Sequence, residues 1–186
     1  MAEERRSLAA VPSLIGKEVF LRPTVPEEYA ATYHWTLQSE PQTLSARPLT
    51  IKTPAQAAES FKKWESSIDR QHFTVVRIED KMPVGRISFY DYNPLNRSAG
   101  LGLIIDPEER RNGYGTEAMK LIIKYLFRNR GMNKVYAETS DFNAGTPALL
   151  ESLGFKLDGR LRNHYFFNGE FHDRLIYSLL LYELSW

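Results

Sequence analysis

Ile105-Asp106-Pro107-Glu108-Glu109-Arg110-Arg111-Asn112-Gly113-Tyr114-Gly115-Thr116-Glu117-Ala118 joins an apolar run to a long amphipathic segment through arginines and closely spaced glycines. Gly113 and Gly115 lack a Cβ, so successive backbone N–H groups can approach an anion, and the positive end of a following helix favours the same charge. Arg110 and Arg111 add forked, permanently charged donors. The stretch therefore predicts a strand, a diphosphate-binding loop and a helix in that order.

The same residues satisfy Gly-x-Gly-x-x-Ala from Gly113 to Ala118, a pattern also found in dinucleotide-binding folds, where Glu138 or Asp141 would be the ribose ligand. Two features speak against that reading. Pro107 to Asn112 intervene between strand and first glycine, and the downstream pattern is a hairpin instead of another strand-helix-strand unit.

Working outward, the helix is expected from Gly113 to Arg130, with Ala118, Leu121, Ile122, Tyr125 and Leu126 at core spacing and Gly131 as its stop. Upstream, Phe73–Ile78, Val84–Tyr92 and Ala99–Ile105 read as an antiparallel meander with a turn at Glu79-Asp80-Lys81. Downstream, Val135–Ser140 follows a helix and should lie parallel to the preceding strand. Thr146–Leu153 reads as a short helix, and Asn168-Gly169 as the turn of a hairpin between Arg160–Phe167 and Phe171–Leu184.

The N-terminal part supplies a short strand over Lys17–Arg22, a helix over Pro26–Gln38, a loop over residues 39–52, and a helix from Thr53 to Arg70. That last helix has Thr53 as N-cap, Pro54 at its first position, and Ala57, Ala58, Phe61, Trp64 and Ile68 on one face. The expected architecture is α/β: a mixed, mainly antiparallel sheet of about seven strands with four helices. Residues 1–13 are expected to be a flexible tail and 14–186 a single domain.

The 186 residues, 42% hydrophobic and 25% charged, suit an ordinary globular domain. A net charge of +1 from mixed acids and bases argues against direct nucleic-acid binding. The absence of cysteine removes disulfides, thiolate-metal sites and a cysteine nucleophile. His34, His72 and His172 have no ligand-like spacing, so no metal is expected. No run approaches the ~20 apolar residues of a membrane helix, and no signal-peptide pattern opens the chain, so a soluble, cytoplasmic protein is expected.

Arg110-x-x-Gly113-x-Gly115 resembles the Gln/Arg-x-x-Gly-x-Gly/Ala signature of the GNAT superfamily, the acetyl-CoA-dependent N-acetyltransferases related to the yeast histone acetyltransferase. Asn143, Thr146 and the run Leu149 to Phe155 are similar to the superfamily's Asn-x-x-Ser/Ala followed by a helix ending in Gly-Phe. Phe20-Leu21-Arg22-Pro23, Gly159-x-Leu161-Arg162, Phe167-Asn168-Gly169, Asp173, Tyr177 and Leu180 resemble the subgroup of ribosomal-protein Nα-acetyltransferases and spermidine acetyltransferases. The likeness covers residues 17–184.

The resemblance implies that Arg110, Arg111, Asn112, Gly113, Tyr114, Gly115 and Thr116 hold the diphosphate of coenzyme A. Leu103, Ile104 and Ile105 would pair with its pantetheine arm where neighbouring strands splay, and Asn143 would contact the arm's far end or the helix supporting it. Acetyl-CoA would be the co-substrate, and a small amine or a protein N-terminus the acceptor, with no membrane partner; a homodimer is compatible with it.

Amide formation from a thioester needs a neutral amine, a donor to the developing oxyanion and a proton source for the departing thiolate. A backbone N–H near Ile104 or Ile105 is the expected oxyanion donor. Many relatives protonate the thiolate with a tyrosine where this chain has Leu150, so Thr146 is the substitute candidate, unless it merely caps its helix or the thiolate leaves to solvent. His164 and Glu138 are the alternatives for the base. Tyr165 is expected to face away from His164 by strand alternation. Trp35 and Trp64 read as packing residues that can border the acceptor groove, and Asp173 as an anchor of the hairpin. The expected function is direct transfer of acetyl from acetyl-CoA to a primary amine on a protein N-terminus, a polyamine or an amino sugar. The rival is a non-catalytic acyl-CoA-binding domain of the same fold.

Overall fold

The computed structural model describes residues 14–38 and 50–186. The expected tail at 1–13 and most of the loop expected at 39–52 lie outside the described residues. β1 (Leu14–Ile15), β2 (Val19–Pro23), β3 (Gln71–Arg77), β4 (Pro83–Asn93), β5 (Ser98–Ile105), β6 (Lys134–Ser140), β7 (Lys156–Phe167) and β8 (Glu170–Leu180) form one sheet. Its order is β1-β2-β3-β4-β5-β6-β8-β7. Every neighbouring pair is antiparallel except β5 and β6, as the intervening helix demands. The sheet is mixed and mainly antiparallel, with eight strands; the added strand is β1, whose two residues are too short to show alternation.

The helices are α1 (Pro26–Ala31), α2 (His34–Gln38), α3 (Pro54–Glu65), α4 (Tyr114–Lys124) and α5 (Gly145–Ser152). α4 and α5 cover one face of the sheet, burying Ile122, Ile123, Leu126 and Leu150 against Val75, Ile87, Leu101, Val135 and Leu179. α1 and α3 build a second cluster of Tyr29, Tyr33, Ala57 and Phe61. This cluster lies on the opposite face, because Arg86, next to Ile87 on β4, stacks its guanidinium 4.4 Å from the Tyr29 ring.

Four elements differ from expectation in where they end or break. The expected helix over Pro26–Gln38 breaks at Thr32, whose hydroxyl takes the Glu28 carbonyl, after which Tyr33 N–H turns to Ala30 by a tighter bond. α3 keeps the expected start, with Thr53 and Gln56 forming a reciprocal capping box, but it ends at Glu65. Ile68, expected on its buried face, is 96% exposed. α4 runs on through a π-helical turn over Tyr125–Asn129, in which Arg130 N–H reaches the Tyr125 carbonyl, before Gly131 at φ 67° stops it. β8 likewise ends at Leu180 in a 3₁₀ turn, short of the expected Leu184.

His72 on β3 lies stacked on Trp64 and edge-on to Phe61, at 5.9 and 5.3 Å between ring centres. Burial, then the Arg86 and Arg70 cations, push its pKa down to about 4. In the unfolded chain the ring titrates near ~6.5, so between those values only the unfolded state takes the proton. The stability this depressed group contributes is whole above that range and is lost as pH falls through it. Unfolding free energy should drop by about 3 kcal/mol between pH 7 and pH 4 through this residue. Urea titrations of the protein and of His72→Phe check it: the variant's dependence should be flatter over that window, and parallel curves would refute the assignment.

Candidate active site

Between β5 and α4 the chain makes two successive turns. Pro107–Glu109 makes a 3₁₀ turn capped by the Asp106 carboxylate, which accepts from Glu108 N–H at 3.1 Å. Arg111 and Gly113 then both take positive φ, 67° and 84°. Gly113 is the N-cap of α4 and offers no side-chain cap, and the first helical bond runs from Glu117 N–H to the Gly113 carbonyl. The N–H groups before Glu117 therefore lack helical acceptors. Gly115 packs closely: a Cβ there would sit 3.2 Å from Leu103 Cδ2 and 3.3 Å from Ile105 Cγ1, so those side chains would have to give by a few tenths of an ångström.

Beside this helix start the sheet opens. β5 and β6 pair only at Ser98↔Lys134, Ala99↔Val135 and Gly100↔Tyr136, and then part. Leu103, Ile104 and Ile105 keep their β4 partners on one side only. A cleft of about 670 Å³ occupies the gap, within the size range of small-molecule sites. Its walls are Leu103, Ile104, Ile105, Arg110, Arg111, Gly113, Tyr114, Gly115 and Thr116 on one side and Asn143 and Thr146 on the other. Of the residues singled out for the cofactor, Asn112 alone stands outside, its amide bonded to Glu109 at 3.3 Å. Glu109, Gly145, Ala148, Leu149 and Ser152 complete the lining; α5's early residues were legible only as a helix start, and Glu109 only as part of a charged turn.

Asn143 Oδ1 accepts from Thr146 N–H at 3.3 Å, and its Nδ2 donates to Thr146 Oγ1 at 2.8 Å. Asn143, not Thr146, thus performs the capping work expected of the threonine. Because Nδ2 can only donate, the Thr146 hydroxyl acts here as acceptor and keeps its own proton to give. Leu150 is buried in the core, so no hydroxyl replaces the tyrosine at that position.

Both candidate bases meet one guanidinium. Arg174 forms an ion pair with Glu138, two residues beyond the last β5–β6 pair, and donates from Nη1 to His164 Nε2 at 3.3 Å. That bond occupies the imidazole lone pair, leaving Nδ1 as a donor; Glu138 keeps a second oxygen. His164 belongs to a separate hollow lined by Arg160, Arg162 and Asp173.

Strand alternation does not separate His164 from Tyr165, as expected from sequence. β7 carries a bulge between Leu161 and Tyr165, Asn163 takes φ 51°, and the two rings meet edge to face at 4.9 Å. Asp173 pins this bulge by accepting from Asn163 N–H and Arg160 Nη1, each at 2.9 Å, which also holds its carboxyl below the usual range. Trp35 is buried under the Arg86 guanidinium, and His34 bonds the Ala31 carbonyl. Among the described residues no group of histidine and acidic side chains is arranged to hold a metal, and no helix is long and apolar enough to cross a membrane.

Residues 18–156 match the family described as the acetyltransferase (GNAT) domain. The uncharacterized N-acetyltransferase YoaA of Bacillus subtilis is 30% identical over 106 residues, 57% of this chain and 60% of YoaA. The spermidine N(1)-acetyltransferase of Vibrio cholerae is 28% identical over 99 residues, 53% of this chain and 57% of that enzyme. Less than two thirds of either relative is spanned. In fold, the chain is similar to the crystal structure of the Vibrio cholerae spermidine N-acetyltransferase in complex with CoA and spermine, with a TM-score of 0.82 at 20% identity, covering 90% of this chain and 98% of that one. With the splayed sheet, the glycine loop and a family match over most of its length, the chain belongs to the GNAT acetyltransferase domain family.

Proposed function

We propose that the protein transfers an acetyl group from acetyl-CoA to a primary amine by direct attack. The observation that carries this reading is the uncapped start of α4, Gly113 to Thr116, opening into a cleft continuous with the gap between β5 and β6. Coenzyme diphosphate accepts from the loop amides and from Arg110 and Arg111, while the pantetheine arm pairs with the free edge of Leu103 to Ile105. Of Ile104 and Ile105, the latter turns its backbone N–H to the open side, and the thioester carbonyl lies against it, so that negative charge is stabilised as it develops.

Glu138 takes the amine proton as the C–N bond forms, Arg174 fixing the carboxylate's direction. The tetrahedral intermediate collapses with cleavage of the C–S bond, and the departing thiolate receives a hydrogen bond from Thr146 and its proton from solvent through that hydroxyl. Asn143 orients Thr146 by donating to it.

A thiol-release assay with acetyl-CoA and a panel of monoamines, polyamines, amino sugars and peptides with free N-termini tests the reading and identifies the acceptor. Calorimetric binding of coenzyme without thiol release for any amine would instead indicate a binding domain, the outcome that Leu150 in the tyrosine's place invites. Thr146→Val should lower kcat roughly tenfold while Thr146→Ser preserves it, the expected scale for one hydrogen bond to a charged group. The valine variant also deprives Asn143 Nδ2 of this acceptor, so a lowered Tm accompanies it and the serine variant separates the two effects. An unaltered kcat in Thr146→Val would mean the thiolate leaves unaided.

A further inference from the structure

The anion-binding cleft has a carboxylate in its wall. Glu109 lines it among the diphosphate donors, where its negative charge opposes the ligand. Glu109 is not left alone: Arg77 Nη1 donates to its Oε2 at 2.8 Å. The same guanidinium grips Asp80 through Nε and Nη2, at 3.0 and 2.6 Å, and lies 6.0 Å from the Tyr114 ring. One side chain thus ties the end of β3, the β3–β4 turn, the turn after β5 and the first residue of α4. The two side chains are 21% and 26% exposed, so water screens this pair only in part.

We propose that Arg77 is a positioning residue for the coenzyme: by neutralising Glu109 and bracing the Pro107–Glu109 turn against α4, it leaves the loop amides facing a diphosphate without an opposing charge. The inference rests on the reading of the cleft as the coenzyme A site. Arg77 is outside both motifs, since Glu109 and Tyr114, its partners around the cleft, are 32 and 37 positions away in sequence, and it does not itself line the cleft or reach the reacting atoms. Its effect passes through Glu109 and the loop.

Calorimetry with coenzyme A, and steady-state kinetics with acetyl-CoA, test this on the full chain. Arg77→Met should raise Kd and KM for the coenzyme by about fivefold, the scale of one lost partly exposed ion pair, with kcat at saturation held within about twofold. Arg77→Met/Glu109→Gln should recover most of the lost affinity, because the uncompensated carboxylate is gone. Raising ionic strength to about 1 M should shrink the deficit of the single variant, since screening then reaches within ~3 Å. A brace with no effect through the charge of Glu109 predicts otherwise: the double variant stays as weak as the single one and salt changes nothing, and that result, or an unchanged Kd in Arg77→Met, overturns the proposal. If the unaltered protein fails to bind coenzyme A, the reading of the cleft itself falls, which is a different result from binding that ignores Arg77.

Discussion

Glu138→Gln should lose on the order of 10²-fold in kcat, the lower end of what a positioned general base contributes, while its affinity for acetyl-CoA stays unchanged. The substitution keeps the shape and the hydrogen-bonding reach of the side chain and removes only its capacity to take a proton. Glu138 is the sharper candidate because its ion pair with Arg174 engages one carboxylate oxygen and leaves the other, whereas His164 has given its single lone pair to the same guanidinium. His164→Gln is therefore expected to retain kcat within about threefold. Kinetics of both variants with a saturating amine, once the panel has named one, decide the matter. A large loss in the histidine variant with an active Glu138→Gln would reverse the assignment.

Gly113→Val should weaken coenzyme A binding at least tenfold, equivalent to ~1.4 kcal/mol. The cause is conformational, since a Cβ at this position would meet nothing within 4 Å. At φ 84° a β-branched residue costs about 1–2 kcal/mol, and relief of that strain rotates the loop amides away from the anion. Gly131→Val supplies the comparison: it has φ 67° and equally open surroundings, but lies past the far end of α4. It should lower Tm without lowering coenzyme affinity. Equal losses of affinity in both variants would show that general destabilisation, not the loop's geometry, is being measured.

Much of the architecture was legible because its signals are local. Thr53-Pro54 with Gln56 carries a complete helix start within four residues, and Asn168-Gly169 takes positive φ at both positions, 50° and 85°, as a tight hairpin turn requires. The glycine loop likewise declared both its conformation and its position before a helix. The break at Thr32, the π-helical turn at Tyr125 and the bulge at Asn163 were invisible, since each turns on a competition between hydrogen-bond partners of nearly equal strength. The site's electrostatics were hidden for another reason. Arg174 reaches Glu138, and Arg77 reaches Glu109, only after segments distant in sequence are laid side by side, and Arg174 meets His164 across the terminal hairpin only in the register that the β7 bulge sets. Residue spacing along the chain has no record of such encounters. Thr146 was legible as a candidate donor to the thiolate or as a cap; the side-chain amide of Asn143 takes the capping task and leaves the hydroxyl available.

The early parting of β5 from β6 gives the molecule an internal seam. Along it, main-chain groups of Leu103 and Ile105 face away from β4, much as they would on the border of a finished sheet, while those of Ile104, between them, are turned to β4. A guest that fills the seam needs amide bonds spaced like a peptide's, whatever chemistry it carries at its ends. Deuterium uptake at Leu103 and Ile105 should consequently slow when such a guest is present, while Ile104, already bonded to its neighbour, registers little change.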